Sequence, residues 1–167
     1  MMENLDPTQV QMMQPPQPTM IDLKRVQRAF DVAAPGYESH RSLAGEIEGK
    51  LLERVKEMTK FQPQRILDLG CGVGSMSRQI QAHLPKSRIS AIDLSMGMLK
   101  EAKKTRRRWF RHNPVYACSD ALNLPFGNDT FDLVISNMSL HWLDDPFRGL
   151  KEMRRCLKPG GVLLFTM

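Results

Sequence analysis

Cysteine is scarce in this chain, and what there is forms no recognisable chemical pattern. Cys71, Cys118 and Cys156 stand far apart among 167 residues. Three is an odd number, and their spacing gives neither a disulfide framework nor a zinc site, so no metal is expected. No nucleophile–histidine–acid arrangement is visible either. No apolar run approaches the roughly 20 residues that cross a bilayer, which argues against a membrane protein. The first twenty residues hold no Lys or Arg and no apolar core segment. That argues against a secretory signal or an Arg-rich transit peptide and points to the cytoplasm.

What is present suits one soluble domain with one core: 41% hydrophobic and 25% charged residues, with a net charge of +6. The positive charge is unevenly spread. Lys100, Lys103, Lys104, Arg106, Arg107, Arg108 and Arg111 fall within twelve positions. Two readings stay open: a solvated helix end whose cations favour the C-terminal dipole, or a docking patch for an acidic partner, either nucleic acid or an acidic carrier protein.

Residues 1–20, with five Met, four Gln and four Pro, have little to bury and read as a disordered tail. Residues 21–62 read as N-terminal helices that form a lid through which substrate reaches the site. Asp22 is a plausible N-cap for a helix carrying Leu23, Val26 and Phe30 on one face, and Pro35-Gly36 ends it. A longer helix follows, with a core-facing stripe of Leu43, Ile47, Leu51, Val55 and Met58.

Over 63–167 the pattern alternates. Strands are expected at 65–69, 88–93, 115–119, 131–136 and 162–166, and helices at 75–83, 96–108 and 145–156. Lys158-Pro159-Gly160-Gly161 reads as a turn. Short apolar strands alternating with helices imply an α/β fold of Rossmann-like, doubly wound type, with a mostly parallel sheet covered on both faces. In such folds ligands lie at the carboxyl ends of the strands. Asp68, Asp93, Asp120 and Ser136-Asn137 fall at those ends.

The most informative segment is Asp68-Leu69-Gly70-Cys71-Gly72-Val73-Gly74-Ser75. Glycines allow a sharp turn and let a ligand lie on bare backbone. Cys71 within it reads as a small filler. Asp68 repels phosphate and attracts a cation. S-adenosylmethionine carries an ammonium and a sulfonium and no phosphate, so its charge fits. A nicotinamide dinucleotide fits less well, because Gly74 comes one residue before the third glycine of the dinucleotide fingerprint. Asp93, at the end of the next strand, suits either ligand as an acceptor for two ribose hydroxyls.

Together these segments resemble the class I S-adenosylmethionine-dependent methyltransferases. The resemblance rests on Asp68-x-Gly70-x-Gly72-x-Gly74, Asp93-Leu94-Ser95, Asp120-Ala121, Phe131-Asp132-Leu133-Val134-Ile135-Ser136-Asn137 and Leu157-Lys158-Pro159-Gly160-Gly161. It implies a methionine moiety lying against Gly70 and Gly72, with Gly74 a further cofactor-binding residue of the loop. Asp68 would hold the ammonium and Asp93 the ribose. Leu94, Asp120 and Ala121 would surround the adenine, and Asn137 would sit near the transferring methyl. Phe30-x-x-Ala33-Ala34-x-x-Tyr37 and Ser136-Asn137-Met138-Ser139-Leu140-His141-Trp142 are similar to the malonyl-[acyl-carrier-protein] O-methyltransferase family of biotin synthesis. The second pattern also resembles that of a mitochondrial complex I assembly factor of methyltransferase fold, and His141-Trp142 followed by Leu143-Asp144-Asp145 fits both.

The first resemblance implies O-methylation of the free carboxylate of malonyl-acyl carrier protein. It casts Tyr37, Asn137 and Trp142 as the residues around the reacting groups and the acidic carrier as partner. A carboxylate is already ionised at pH 7, so the absence of a general base is expected. The family continues beyond its fifth strand, usually to a seven-stranded sheet, so this chain reads as cut short, with its cofactor half complete and its C-terminal strands missing. The alternatives are a cofactor-binding or assembly-factor-like protein without methyl transfer, and a methyltransferase acting on another small molecule or RNA. A nucleic-acid base methyltransferase ranks low, because Ser136-Asn137-Met138-Ser139 lacks the Asp/Asn-Pro-Pro-aromatic slot for a flipped base.

Overall fold

A computed structural model describes residues 21–40, 42–58, 61–105 and 112–167. The expected tail over 1–20 and the basic positions Arg106, Arg107, Arg108 and Arg111 lie outside the described residues. Helix α1 (Leu23–Ala33) starts where Asp22 Oδ1 accepts from Lys24 N and Arg25 N at 2.9 and 3.2 Å. Gly36, at φ +87°, turns the chain into the short α2 (Tyr37–His40), and α3 (Ser42–Glu57) follows. Then come β1 (Arg65–Leu69), α4 (Ser75–His83), β2 (Arg88–Asp93), α5 (Met96–Lys104) and β3 (Val115–Cys118). The chain ends with β4 (Phe131–Ser136), a 3₁₀ turn (Leu140–Trp142), α6 (Pro146–Cys156) and β5 (Leu157–Phe165).

All pairings are parallel, in the order β3-β2-β1-β4-β5. The chain winds outward from β1 to β3 and then returns to β4 on the other side, which makes the β1/β4 boundary the switch point. Ile66, Leu133 and Ile135 pack with Leu51, Leu52 and Val55 of α3 and Met76 and Ile80 of α4. Leu67, Leu69 and Val134 point the other way, into a core with Met153 and Cys156 of α6. Helices thus cover both faces, and the polar strand ends are left at one rim.

Two details differ from the periodic reading. Leu43 is 63% exposed, and the buried residues of α3 are Glu48, Leu51, Leu52 and Val55. The helix is rotated so that Leu52 faces the core beside Leu51, which leaves Leu43 on the solvent side. The Lys158–Gly161 turn lies inside β5. Phe131 pairs with Leu157 but Leu133 pairs with Val162, so four residues bulge opposite Asp132 alone. Gly160 at φ +74° permits the bulge, and Lys158 Nζ reaches Asp132 Oδ1 at 2.7 Å.

Helix α1 is fastened to the rim by specific contacts. Gln27 Nε2 donates to the Leu94 carbonyl at 3.0 Å. Asp31 Oδ1 accepts from Ser95 Oγ at 2.6 Å and from Gly97 N at 2.7 Å, and these bonds hold its carboxyl below the usual carboxylate range. A Cβ on Gly97 would lie 2.9 Å from the Asp31 backbone. Gly97→Ala favours α5 itself by about 1 kcal/mol of helix propensity. We expect it nonetheless to loosen α1: amides of residues 23–33 should exchange at least tenfold faster by hydrogen-exchange mass spectrometry, with the sheet protected as before. Unchanged α1 protection would mean that this close approach does not hold the helix.

Candidate functional site

The glycine loop after β1 hangs from β2. Gly70 N and Cys71 N donate to the Ile92 carbonyl at 2.8 and 3.0 Å, and Gly72 N donates to Asp93 Oδ2 at 2.8 Å. Gly70, Gly72 and Gly74 have φ of +70°, +52° and +74°, a region that side chains disfavour. Each glycine faces something different. A Cβ on Gly70 would collide with Ser139, and one on Gly74 would lie 2.5 Å from Tyr116 Oη. A Cβ on Gly72 would meet no protein atom within 4 Å, so the space beside it is left for a ligand.

That space belongs to a cavity of about 1040 Å³, counted out to its open mouth, at the carboxyl ends of β1, β2, β3 and β4. Helices α1 to α3 form part of its wall. It brings together Asp68, Gly70 and Gly72 from the glycine loop, Asp93 and Leu94 from the end of β2, and Asp120 and Ala121 from the loop after β3. Tyr37, Asn137 and Trp142 line it as well. Gly74 lies off the wall and serves the packing against Tyr116.

Among the described residues the wall carries four carboxylates, Glu48, Asp68, Asp93 and Asp120, and no Lys or Arg. Asp68 is 1% exposed and accepts from Ser77 Oγ at 2.5 Å. Burial pushes its carboxyl up to about 7, against the Ser77 hydrogen bond and with help from the charges of Glu48 and Asp93. Burial also raises Asp93, although its two oxygens accept from Gly72 N and Ser95 N, each at 2.8 Å. Cys71 is held far above its ordinary range by burial and by the same two aspartates, so its thiol stays protonated and acts as a filler.

A wall of this kind disfavours a pyrophosphate and favours a cation. S-adenosylmethionine fits on two counts: bare backbone at Gly72 opens onto empty space, and the carboxylates offer its positive groups partners.

The remaining predicted residues have structural ties of their own. Asp120 Oδ1 caps its turn by accepting from Leu122 N at 2.8 Å. Asn137 Nδ2 donates to the Ala44 carbonyl at 3.2 Å, and Asn137 Oδ1 accepts from Thr166 Oγ1 at 2.8 Å, so it ties α3 to the end of β5. Trp142 stands edge-on to Phe30 at 5.4 Å, and Phe30 edge-on to Tyr37 at 6.3 Å, which makes an aromatic row at the mouth. Sequence reasoning left Glu48 out of the site; its signal was a carboxylate one position off an apolar stripe. Met138, on the wall at φ +51°, belongs to the Ser136–Trp142 pattern already singled out.

Comparison with known proteins agrees with this geometry. A family model described as a methyltransferase domain matches residues 67–165. The chain is 38% identical over 151 residues to the malonyl-[acyl-carrier protein] O-methyltransferase of Methylovorus sp. (strain MP688), covering 88% of this chain and 51% of that protein. It is 36% identical over 154 residues to the enzyme of that name from Halorhodospira halophila, covering 92% and 51%. The chain therefore spans about half the length of the curated relatives it matches. Among solved structures, Haemonchus contortus phosphoethanolamine N-methyltransferase 2 in complex with S-adenosyl-L-methionine superposes with a TM-score of 0.60 at 30% identity, covering 71% of this chain and 28% of that one.

The crowded carboxylates have a consequence for folding. Asp68 titrates near 4 when unfolded and near 7 when folded. Between those values the unfolded chain holds fewer protons, so stability falls as pH rises. The carboxyls of Asp31, Asp132 and Glu152, which folding lowers, are ionised in both states over this window and add no slope. We expect urea unfolding of the ligand-free chain to lose about 2 kcal/mol between about pH 5 and pH 7. In Asp68→Asn the part of that slope due to Asp68 should vanish, leaving that of Asp93, which burial also raises. An undiminished slope in the variant would refute the assignment.

Proposed function

The chain belongs to the methyltransferase domain family, and from that premise we propose that it binds S-adenosylmethionine and methylates the free carboxylate of a malonyl group on acyl carrier protein, in the cytoplasm, as a step of biotin synthesis. The observation that carries the reading is the cavity wall, where bare glycine backbone and four carboxylates meet with no Lys or Arg among the described lining residues. The names of the curated relatives supply the acceptor. No helix among the described residues is long and apolar enough to cross a membrane.

Bound there, S-adenosylmethionine supplies an electrophilic methyl group on a sulfonium. The protein's part is to position groups and exclude water. Gly72 gives close access to backbone, with Gly70 on the wall beside it. Asp68 faces the amino-acid end, and Asp93 offers its remaining lone pairs to ribose hydroxyls. Leu94 and Ala121 pack the adenine, and Asp120 accepts from its amino group. The acceptor carboxylate is ionised without a base. Its alignment with the methyl carbon falls to the mouth, where Tyr37, Phe30, Trp142 and the tethered Asn137 shed water from the nucleophile. Such positioning supplies several kcal/mol of barrier reduction.

Calorimetry should show binding of S-adenosylmethionine and none of NAD. Asp93→Ala should weaken it at least tenfold, since it removes both the ribose acceptor and the anchor of Gly72. In a methyl-transfer assay on malonyl-acyl carrier protein, Tyr37→Phe and Trp142→Ala should each lower kcat at least tenfold. Full activity in both would end the proposed role of the aromatic row, and NAD binding would end the cofactor reading.

The carrier protein is acidic, which suits the basic stretch. Lys100, Lys103 and Lys104 are exposed on α5, with Lys104 bridged to Glu101 at 2.7 Å. Charge reversal at Arg106, Arg107 and Arg108 should slow carrier association and flatten its dependence on salt. An unchanged salt dependence in stopped-flow measurements would exclude this stretch as the docking patch.

A further inference from the structure

Helix α1 lies along the cavity, with Leu23, Val26 and Phe30 on the wall, yet none of its residues is buried. An element with so little burial opens at low cost in free energy, so its polar fastenings matter. Gln27 and Asp31, one turn apart, both grip the segment that follows β2. Gln27 Nε2 donates to the Leu94 carbonyl, and Asp31 Oδ1 accepts from Ser95 Oγ and Gly97 N. Asp31 reaches across 64 positions to do this, and α1 does not need it as a cap, because Asp22 fills that role. Ser95 is itself the N-cap of α5, its Oγ accepting from Met98 N at 3.1 Å. Its N–H meets Asp93 Oδ1 at 2.8 Å, while Asp93 Oδ2 takes Gly72 N. One line of hydrogen bonds therefore runs from α1 through Ser95 and Asp93 to the glycine loop.

We propose that Asp31 is a positioning residue for the ribose of the methyl donor: by fixing Ser95 it fixes the orientation in which the Asp93 carboxylate meets the ribose hydroxyls. The proposal rests on the reading of Asp93 as the ribose acceptor. Each Asp93 oxygen has one backbone anchor, and the two together set the plane of the carboxylate and the direction of its remaining lone pairs. With Ser95 loosened, one anchor slackens, the carboxylate turns, and the hydroxyls lose an aligned acceptor. The coupling is reciprocal: a ribose that holds Asp93 also steadies Ser95 and, through it, α1. Helix α1 carries Phe30, which stands against Trp142 at the mouth, so the nucleoside end of the donor helps to order the place where the acceptor enters.

Calorimetry with S-adenosylhomocysteine and its 2′-deoxy analogue, on wild type, Asp31→Ala and Asp31→Asn, tests this. Wild type should prefer the ribose form about tenfold or more, the worth of a hydrogen bond to a charged acceptor. In Asp31→Ala that preference should fall by about threefold or more, because the acceptor is present but no longer aligned. Asp31→Asn keeps an oxygen for Ser95 and Gly97 and should restore it. A merely structural role would weaken both ligands alike and leave their ratio untouched, and that result overturns the proposal. Loss of the preference in Asp31→Asn as well would trace the effect to charge and overturn the hydrogen-bonded route. A wild type that binds both forms equally removes the ribose reading of Asp93, and the proposal with it.

A measurement on the unaltered chain covers the case in which Asp31→Ala does not fold. With each ligand at saturation, hydrogen exchange over residues 23–33 should slow more with S-adenosylhomocysteine than with the 2′-deoxy form. Equal slowing with both would overturn the proposal.

Discussion

The rest of the site depends on the burial of negative charge at the tip of β1. Asp68 is enclosed by the sheet, by α4 and by the glycine loop, with Ser77 as its neutral donor and with Glu48 and Asp93 close enough to oppose its ionisation. A fold that wanted only stability would place an apolar residue there. The arrangement becomes favourable when a cation arrives, because the ligand then relieves repulsion that folding has left in place. Ligand affinity and ligand-free instability are two sides of one electrostatic fact.

The backbone around this charge is shaped by steric limits as much as by hydrogen bonds. The three loop glycines share a left-handed conformation but face different neighbours. Gly70 yields to Ser139, which donates to the Leu69 carbonyl at 3.3 Å and shares a 2.5 Å hydrogen bond with Ser136. Gly74 yields to Tyr116, whose hydroxyl burial pushes up to about 12. Gly72 alone yields to empty space. Two glycines therefore close the fold around the loop, and one opens it to a ligand.

Most of the frame was legible in the sequence because it rests on short-range rules. Strands 65–69, 88–93 and 131–136 and helix 75–83 stand as their apolar spacing and punctuation indicate. The carboxylates at strand ends gather at one rim because parallel topology leaves them nowhere else. What escaped depends on tertiary registration. Which residues of α3 face inward is set by its packing on Met76 and Ile80, so Leu43 was read as buried and Glu48 was passed over. The bulge at Lys158–Gly161 needs the facing Asp132, which contacts Lys158 and the backbone of Gln64 and Arg65. Gly74 could not be told from its loop partners without Tyr116, which lies forty-two positions on.

The same residues that would hold the ligand also build the wall, and this governs how substitutions there are to be interpreted. Asp93 spends one lone pair of each oxygen on Gly72 N and Ser95 N before any ribose arrives. Asp120 braces its own turn, and Asn137 spans from the Ala44 carbonyl to Thr166. Removing any of them loses a contact and releases a segment at once, so the effect on affinity exceeds the worth of the contact alone.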